Sequence, residues 1–296
     1  MNLLPEILVK VTLFTIMLTL GVSVDNKNLL GWIKQQGFLL RILVASCVVV
    51  PLLALMLLQS PLTAGLSPAS KYAIALMALC PSAPLTLRKA AKAGGDRQLA
   101  AVLQVCSALA AVISLPLLAG LFRSLFAIEG WQIDHADVAI QVLTAQVLPL
   151  LIGIAIRVYK PIFASRIEKN LERLANFLLA LLLVVLLVKI GPDLPAFIAT
   201  NLSALVLMVV LVALSLAIGY GLATGAGCNR RTAALLVAMR NPGLALLFAS
   251  THGGHLIGIK LAIITYVILT IALTTVCFKV ADLFKPAYGN LVERNY

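Results

Sequence analysis

Nine times between residues 3 and 280 the chain runs through about twenty consecutive, mostly apolar residues. The stretches cover approximately 3–24, 37–58, 70–93, 97–122, 138–157, 172–190, 198–222, 231–252 and 257–280. A helix of about twenty residues crosses a hydrocarbon core of about 30 Å. Lipid offers no hydrogen-bond partner, so each stretch must satisfy its own backbone groups, as a helix does. The expected fold class is therefore an all-α membrane protein with about nine transmembrane helices. Composition agrees. Of 296 residues, 61% are hydrophobic and 11% are charged, whereas soluble domains carry roughly a quarter charged.

The formal net charge is +12, but the basic residues sit in short clusters between apolar stretches, which suits loops at a membrane rather than a nucleic-acid surface. Four inter-helix regions and the C-terminal tail hold seventeen of the 23 lysines and arginines: Lys27, Lys34, Arg41; Arg88, Lys89, Lys92, Arg97; Arg157, Lys160, Arg166, Lys169, Arg173; Arg230, Arg231; and Lys279, Lys285, Arg294. Five lie on the opposite side: Lys10, Lys71, Arg123, Lys189 and Lys260. The bias predicts an N-terminus outside and a C-terminus inside. The expected setting is a multi-pass protein of a bacterial inner membrane.

Four smaller readings follow. Residues 1–6 carry no basic n-region and no small-residue cleavage site follows Val24, so the first stretch reads as a retained helix. The segment from Pro161 to Leu174, rich in charge, reads as a surface-lying connector on the basic side. Cys47, Cys80, Cys106, Cys228 and Cys277 show no CxxC or Cys/His spacing, so packing is their expected role and neither disulfides nor zinc are implied. Three histidines, no acid at mid-span depth, no Walker loop and no Gly-x-Ser-x-Gly leave no acid/base pair for an enzyme.

Two spans are interrupted. The third contains Cys80-Pro-Ser-Ala-Pro84, and the eighth contains Met239-Arg-Asn-Pro-Gly243. Pro84 and Pro242 each remove an N–H and break the helix ladder. Arg240 puts a full charge at membrane depth, which is costly and points to function. A shift of 159 residues overlays the two interruptions, with Leu76 on Leu235, Leu85 on Leu244 and Gly94-Gly95 on Gly253-Gly254. The third span starts on the outer side and the eighth on the inner side, so the pair predicts inverted repeats around a solute site.

With these residues in view, the sequence resembles the bile acid:sodium symporter family. Phe14-Thr-Ile-Met-Leu-Thr-Leu-Gly21 is similar to its glycine-rich early helix. Cys80-Pro with Lys92-Ala-Gly-Gly-Asp96 is similar to its first crossover, and Met239-Arg-Asn241 with Gly243-Leu-Ala245 to its second. The resemblance implies one transmembrane unit, residues 1–296, with two crossed broken helices. Panel helices fall at approximately 3–24, 138–157 and 172–190, and core helices at approximately 37–122 and 198–280. The resemblance implies that residue 1 corresponds to the start of the second helix of ten-helix members.

The departures matter as much. The family holds two sodium ions with oxygen ligands. Its serine and asparagine of the first crossover fall on Thr86 and Leu87, and two hydroxyl ligands on the next helix fall on Ala100 and Gln104. The glutamate of the second crossover falls on Leu236, its glutamine on Arg240, and an early-helix glutamine near Ser46. Most ligands are gone, including the only carboxylate, so sodium binding in the family's way is not expected, and no cofactor is.

Substrate contacts are expected at Met239, Arg240, Asn241, Pro242, Ser82, Pro84, Thr86, Arg88 and Gln104. Two roles are open to Arg240: pairing with an anionic substrate or filling the vacated cation position, and tying down carbonyls that the broken helix exposes. Arg88 faces either the cavity or the lipid headgroups, and His252 and His255 read as loop residues. The expected function is secondary transport of a small organic anion by alternating access, with lipid as solvent and no nucleic-acid partner. The alternatives are sodium coupling through a rearranged cation site, and a membrane sensor or channel.

Overall fold

A computed structural model describes residues 3–24, 31, 35–63, 65–82, 85–125, 135–252, 256 and 258–283. Among them every regular element is a helix. In chain order these are α1 (Leu3–Ser23), α2 (Gln36–Gln59), α3 (Pro68–Leu79), α4 (Thr86–Lys92), α5 (Arg97–Leu125), α6 (His135–Tyr159), α7 (Pro161–Ile190), α8 (Leu194–Thr200), α9 (Leu202–Leu222), α10 (Gly227–Ala238), α11 (Pro242–His252) and α12 (Ile259–Leu283).

Seven helical stretches among the described residues are long and apolar enough to cross a membrane: α2, α5, α6, α7, α9, the α10–α11 pair and α12. A shorter apolar stretch, Ile7–Ser23, lies in α1. The expected span at 70–93 is two short helices, α3 and α4.

One expectation is corrected. Pro161 to Leu174 is not a separate surface-lying connector but the first half of α7, a single helix of 30 residues. After Pro161 at its first turn the segment contains no proline or glycine, so nothing stops the helix between its charged and apolar halves.

Prolines shape two other helices. Pro51 follows a π turn at Ala45–Val49 in α2, and Pro149 follows one at Leu143–Val147 in α6. In each, one carbonyl loses its helical donor because the proline has no N–H.

Glycines set the closest crossings. α1 packs along α6 and α7, and Gly21 meets Gly153 where α1 crosses α6. A Cβ on Gly21 would lie 2.3 Å from the Leu150 carbonyl oxygen, and one on Gly153 would lie 2.4 Å from that of Leu18. Gly219 plays the same part between α9 and α10, where a Cβ would come within 2.7 Å of the Ala233 carbonyl oxygen. Nearby Gly221 and Gly227 have open space around them, so neither takes part in a close crossing. α12 packs against α3 and α9, and α5 against α6. These contacts bring both interruptions to the middle of one buried cluster, beside α1 and α12.

Candidate functional site

α3 ends at Leu79 because Pro81 cannot continue the ladder and disfavours a helical residue before it. Cys80 is accordingly extended, at φ −85° and ψ 96°. α10 ends at Ala238, and Met239 takes nearly the same backbone, at φ −83° and ψ 107°. Both helices are 12 residues long, and they start and stop 159 residues apart. The unwound segments meet: the N–H of Asn241 donates to the Cys80 carbonyl at 3.0 Å. Asn241 also caps α11, its Oδ1 accepting from the Leu244 N–H at 3.2 Å. Pro242 then occupies the first turn, where its missing N–H is not needed.

Arg240 lies between these ends and is 2% exposed. Its Nε donates to the Met77 carbonyl at 3.2 Å. Nη1 donates to Ser46 Oγ at 3.1 Å and to the Val237 carbonyl at 3.3 Å. Nη2 donates to the Ser46 carbonyl at 2.9 Å and to the Ala78 carbonyl. A guanidinium has five N–H groups, and five acceptors meet them. Met77, Ala78 and Val237 belong to the last turns of α3 and α10, where carbonyls lack helical partners and carry the partial negative charge of the helix end. All five acceptors are neutral oxygens, the ligand type a hard cation takes.

Two joined cavities lie beside this centre and share Ile16, Leu85 and Leu179. One, of about 70 Å³, has walls that include the polar side chains of Arg88, Arg97, Gln104, Glu168, Glu172 and Asn176. The other, of about 210 Å³, is lined mostly by leucine and isoleucine, with Thr12 and Asn241 as its polar side chains and Pro242 among the rest. Thr12, Gln104, Asn176 and Asn241 each present a buried polar atom that lacks a protein partner among the described residues. Such atoms cost about 1–3 kcal/mol each when left dry, so four of them around joined cavities mark a place for water or solute.

The structure distributes the expected residues as follows. Arg240 and Ser46 touch. Met239 and Asn241 are buried beside them, and Met239 and Pro242 line a small space against Arg240 itself. Ser82 is buried with φ 49°, and its Oγ has no partner among the described residues. Thr86, the first residue of α4, is fully buried, and its Oγ1 has no partner among the described residues. Leu87, Gln104 and Arg88 line the polar cavity. Ala100 and Leu236 are buried in the apolar core. Pro84 and His255 lie outside the described residues. His252 Nε2 stands 3.4 Å from Gln141 Nε2, at the end of α11.

Sequence reasoning missed the α1 and α7 walls. Thr12, Thr19 and Ser23 recur at helical spacing on α1, on the face that also carries Ile16. That hydroxyl stripe, and the lone Asn176 ahead of the apolar run of α7, were the available signals.

The profile of the Sodium Bile acid symporter family matches residues 10–194, which is more than half of the chain. The match takes in α1 to α7, with the first interruption, and stops before Arg240. No curated protein matches the chain. The stripe on α1, the interruption after Leu79 and the wall supplied by α7 all lie within the matched residues, and the chain belongs to the sodium bile acid symporter family.

Proposed function

We propose that this chain, a membrane transporter of that family and not an enzyme, carries a small organic anion by alternating access and does so without the two-sodium site. One observation carries the reading: Arg240 sits in an oxygen cage assembled from α2, α3 and α10, with all five N–H groups engaged. A cation fixed to the chain supplies the charge of a bound ion but cannot cross the membrane. It therefore leaves the local field favourable to an anion while transferring no energy from an ion gradient. Exchange, uniport or proton coupling takes over that role.

In this reading Arg240 acts through its field and by fixing the crossover, rather than by touching the solute. The solute lies in the joined cavities, with Asn241, Thr12, Gln104 and Asn176 offering hydrogen bonds and the leucine-lined part taking its apolar portion. The nine spans, with α3–α4 and α10–α11 as crossed members of inverted repeats, provide the frame. The panel of α1, α6 and α7 moves against the remainder. The N-terminus faces outside and the C-terminus inside a bacterial inner membrane.

A rearranged sodium site is the second reading, favoured by the buried oxygens of Thr86, Gln104 and Ser107, which have no partner among the described residues. Uptake by proteoliposomes of a panel of labelled organic acids, in sodium and in choline buffer, separates the two. Equal uptake with counterflow is the expected result. A steep, saturable dependence on sodium supports the rearranged site, and binding without counterflow makes the protein a sensor.

A further inference from the structure

At the basic end of the molecule a third cavity, of about 540 Å³, opens between α4 and α12. Arg88, Lys89 and Lys92 enter it from α4, and Lys279 enters from α12. The one carboxylate on its wall, Asp282, is already bound: Arg231 Nη2 reaches Oδ1 at 2.5 Å. Arg231 is itself held, donating to the Ala93 carbonyl at 2.8 Å and lying over the Phe278 ring at 5.6 Å. Lys89 is anchored in the wall, where Nζ donates to the Ile271 carbonyl at 3.1 Å and to Thr275 Oγ1. Arg88, Lys92 and Lys279 form no ion pair among the described residues.

Four cations thus converge on one space without an uncommitted acid among the described residues. Like charges at this range repel, and salt screens them only where water reaches. The cost is relieved by one ligand that brings more than one negative oxygen. Phosphate does so, and both lysine and arginine recognise it. The rest of the wall is Thr274, Thr275 and apolar residues, among them Met239, Ile271 and Phe278. The outward face of α12 beside it exposes Val276, Val280 and Leu283. An apolar chain attached to the phosphate would find a surface there.

We propose that the α4–α12 cavity is a phosphate site, taking either the headgroup of an anionic phospholipid from the adjacent leaflet or the phosphate of a free solute. The proposal does not rest on the transport reading.

The test uses the full chain in mild detergent and follows its melting temperature during titration with phosphatidylglycerol, phosphatidylcholine, glycerol 3-phosphate and inorganic phosphate. Phosphatidylglycerol is expected to stabilise the protein and phosphatidylcholine is not. Stabilisation by phosphatidylglycerol alone assigns the lipid source, and stabilisation by the soluble phosphates as well assigns free phosphate too. Each lysine at a membrane surface contributes about 1 kcal/mol to anion binding, so Lys92→Gln with Lys279→Gln should weaken the titration midpoint at least tenfold. Both lysines are exposed, and unchanged melting in phosphatidylcholine verifies that the double variant folds. The control pair Lys160→Gln with Arg166→Gln, exposed at the same end, should keep the wild-type midpoint. Equal effects of the two lipids with no effect of phosphate overturn the proposal. So does a wild-type midpoint in the Lys92/Lys279 variant, or an equal loss in the control pair.

Discussion

Ser46 gives Arg240 both of its oxygens: Nη1 reaches the hydroxyl at 3.1 Å and Nη2 the carbonyl at 2.9 Å. That carbonyl is free for a local reason. In the π turn of α2 the Val50 N–H donates to the Ala45 carbonyl, and the next residue, Pro51, has no N–H to offer. The donor that helix geometry would have sent to Ser46 is missing, and a guanidinium from 194 residues away takes its place. A proline in one helix therefore prepares the seat for a charge in another.

Removing that charge should first cost stability. Arg240→Ala leaves four carbonyls and a hydroxyl in a space that excludes water, and each orphaned group costs about 1–3 kcal/mol. A loss of at least about 3 kcal/mol is expected, read as a large drop in melting temperature of the purified protein. Arg240→Lys keeps the charge with three donors instead of five, so it should fall between wild type and alanine. A fully stable Arg240→Ala would show that the cage does not hold the crossover.

Arg240→Gln restores the residue type that the family resemblance places at this position, yet uptake by this variant should remain independent of sodium. Leu236, Leu87 and Ala100 still bring no oxygen, and sodium needs several. Uptake in sodium against choline buffer, measured on the variant, checks this. Appearance of sodium-stimulated uptake would place the coupling defect at Arg240 alone.

Both interruptions were legible in the sequence because each sets proline beside small or polar residues inside an apolar run, Cys80-Pro-Ser-Ala-Pro84 and Arg240-Asn-Pro-Gly243. Arg240 was legible because a charge inside an apolar run stands out. Its partners were not. Met77, Ala78 and Val237 contribute backbone carbonyls, which every residue has, and only the meeting of α3 with α10 shows which ones are used. The resemblance placed a cation ligand near Ser46, but no pattern showed that Pro51 would free its carbonyl. The first half of α7 was misread because five charges in fourteen residues look like a surface connector, whereas helix propensity continued through them.

The Gly21–Gly153 contact was equally silent, since either glycine alone reads as ordinary. It makes a sharp prediction. Gly153→Ala puts a Cβ 2.4 Å from a backbone oxygen, which cannot rotate away, so α1 and α6 must separate. Overpacking of this kind costs about 1–3 kcal/mol or more. Gly221→Ala, with nothing within 4 Å, should be neutral or stabilise by roughly 0.5–1 kcal/mol, since alanine suits a helix better than glycine. Melting temperatures of the two variants should move in opposite directions or differ widely. Equal behaviour would mean that the helices are not in contact at this point.

Orientation is checked by labelling. Asp25 and Asp134, the positions that loop charge assigns to opposite sides, lie outside the described residues, but Ser165 and Ser124 are described and exposed. In a background with the five native cysteines replaced, Ser165→Cys should react with an impermeant maleimide only from the inner face, and Ser124→Cys only from the outer face. Reaction of both from one face would sink the assignment to opposite sides, and the exchanged pattern would reverse the positive-inside reading.

The last expectation concerns movement. Arg97 on α5 reaches Glu172 on α7 at 3.3 Å, with side chains 55% and 40% exposed. An exposed pair of this kind contributes about 0–1 kcal/mol to stability, so Glu172→Gln should melt close to wild type. Its position matters more than its strength. The pair spans the wall of the polar cavity at the basic end, and a panel that swings away from the rest must part it. If alternating access runs through this gap, a bond present in only one state biases the balance by its own free energy. A shift of up to about fivefold is then expected in the inner-face labelling rate of a cysteine placed at Asn176, with melting unchanged. The charge swap Arg97→Glu with Glu172→Arg should bring the rate back towards wild type, which neither single change would do. A labelling rate that ignores all three variants would mean that the α5–α7 gap does not open.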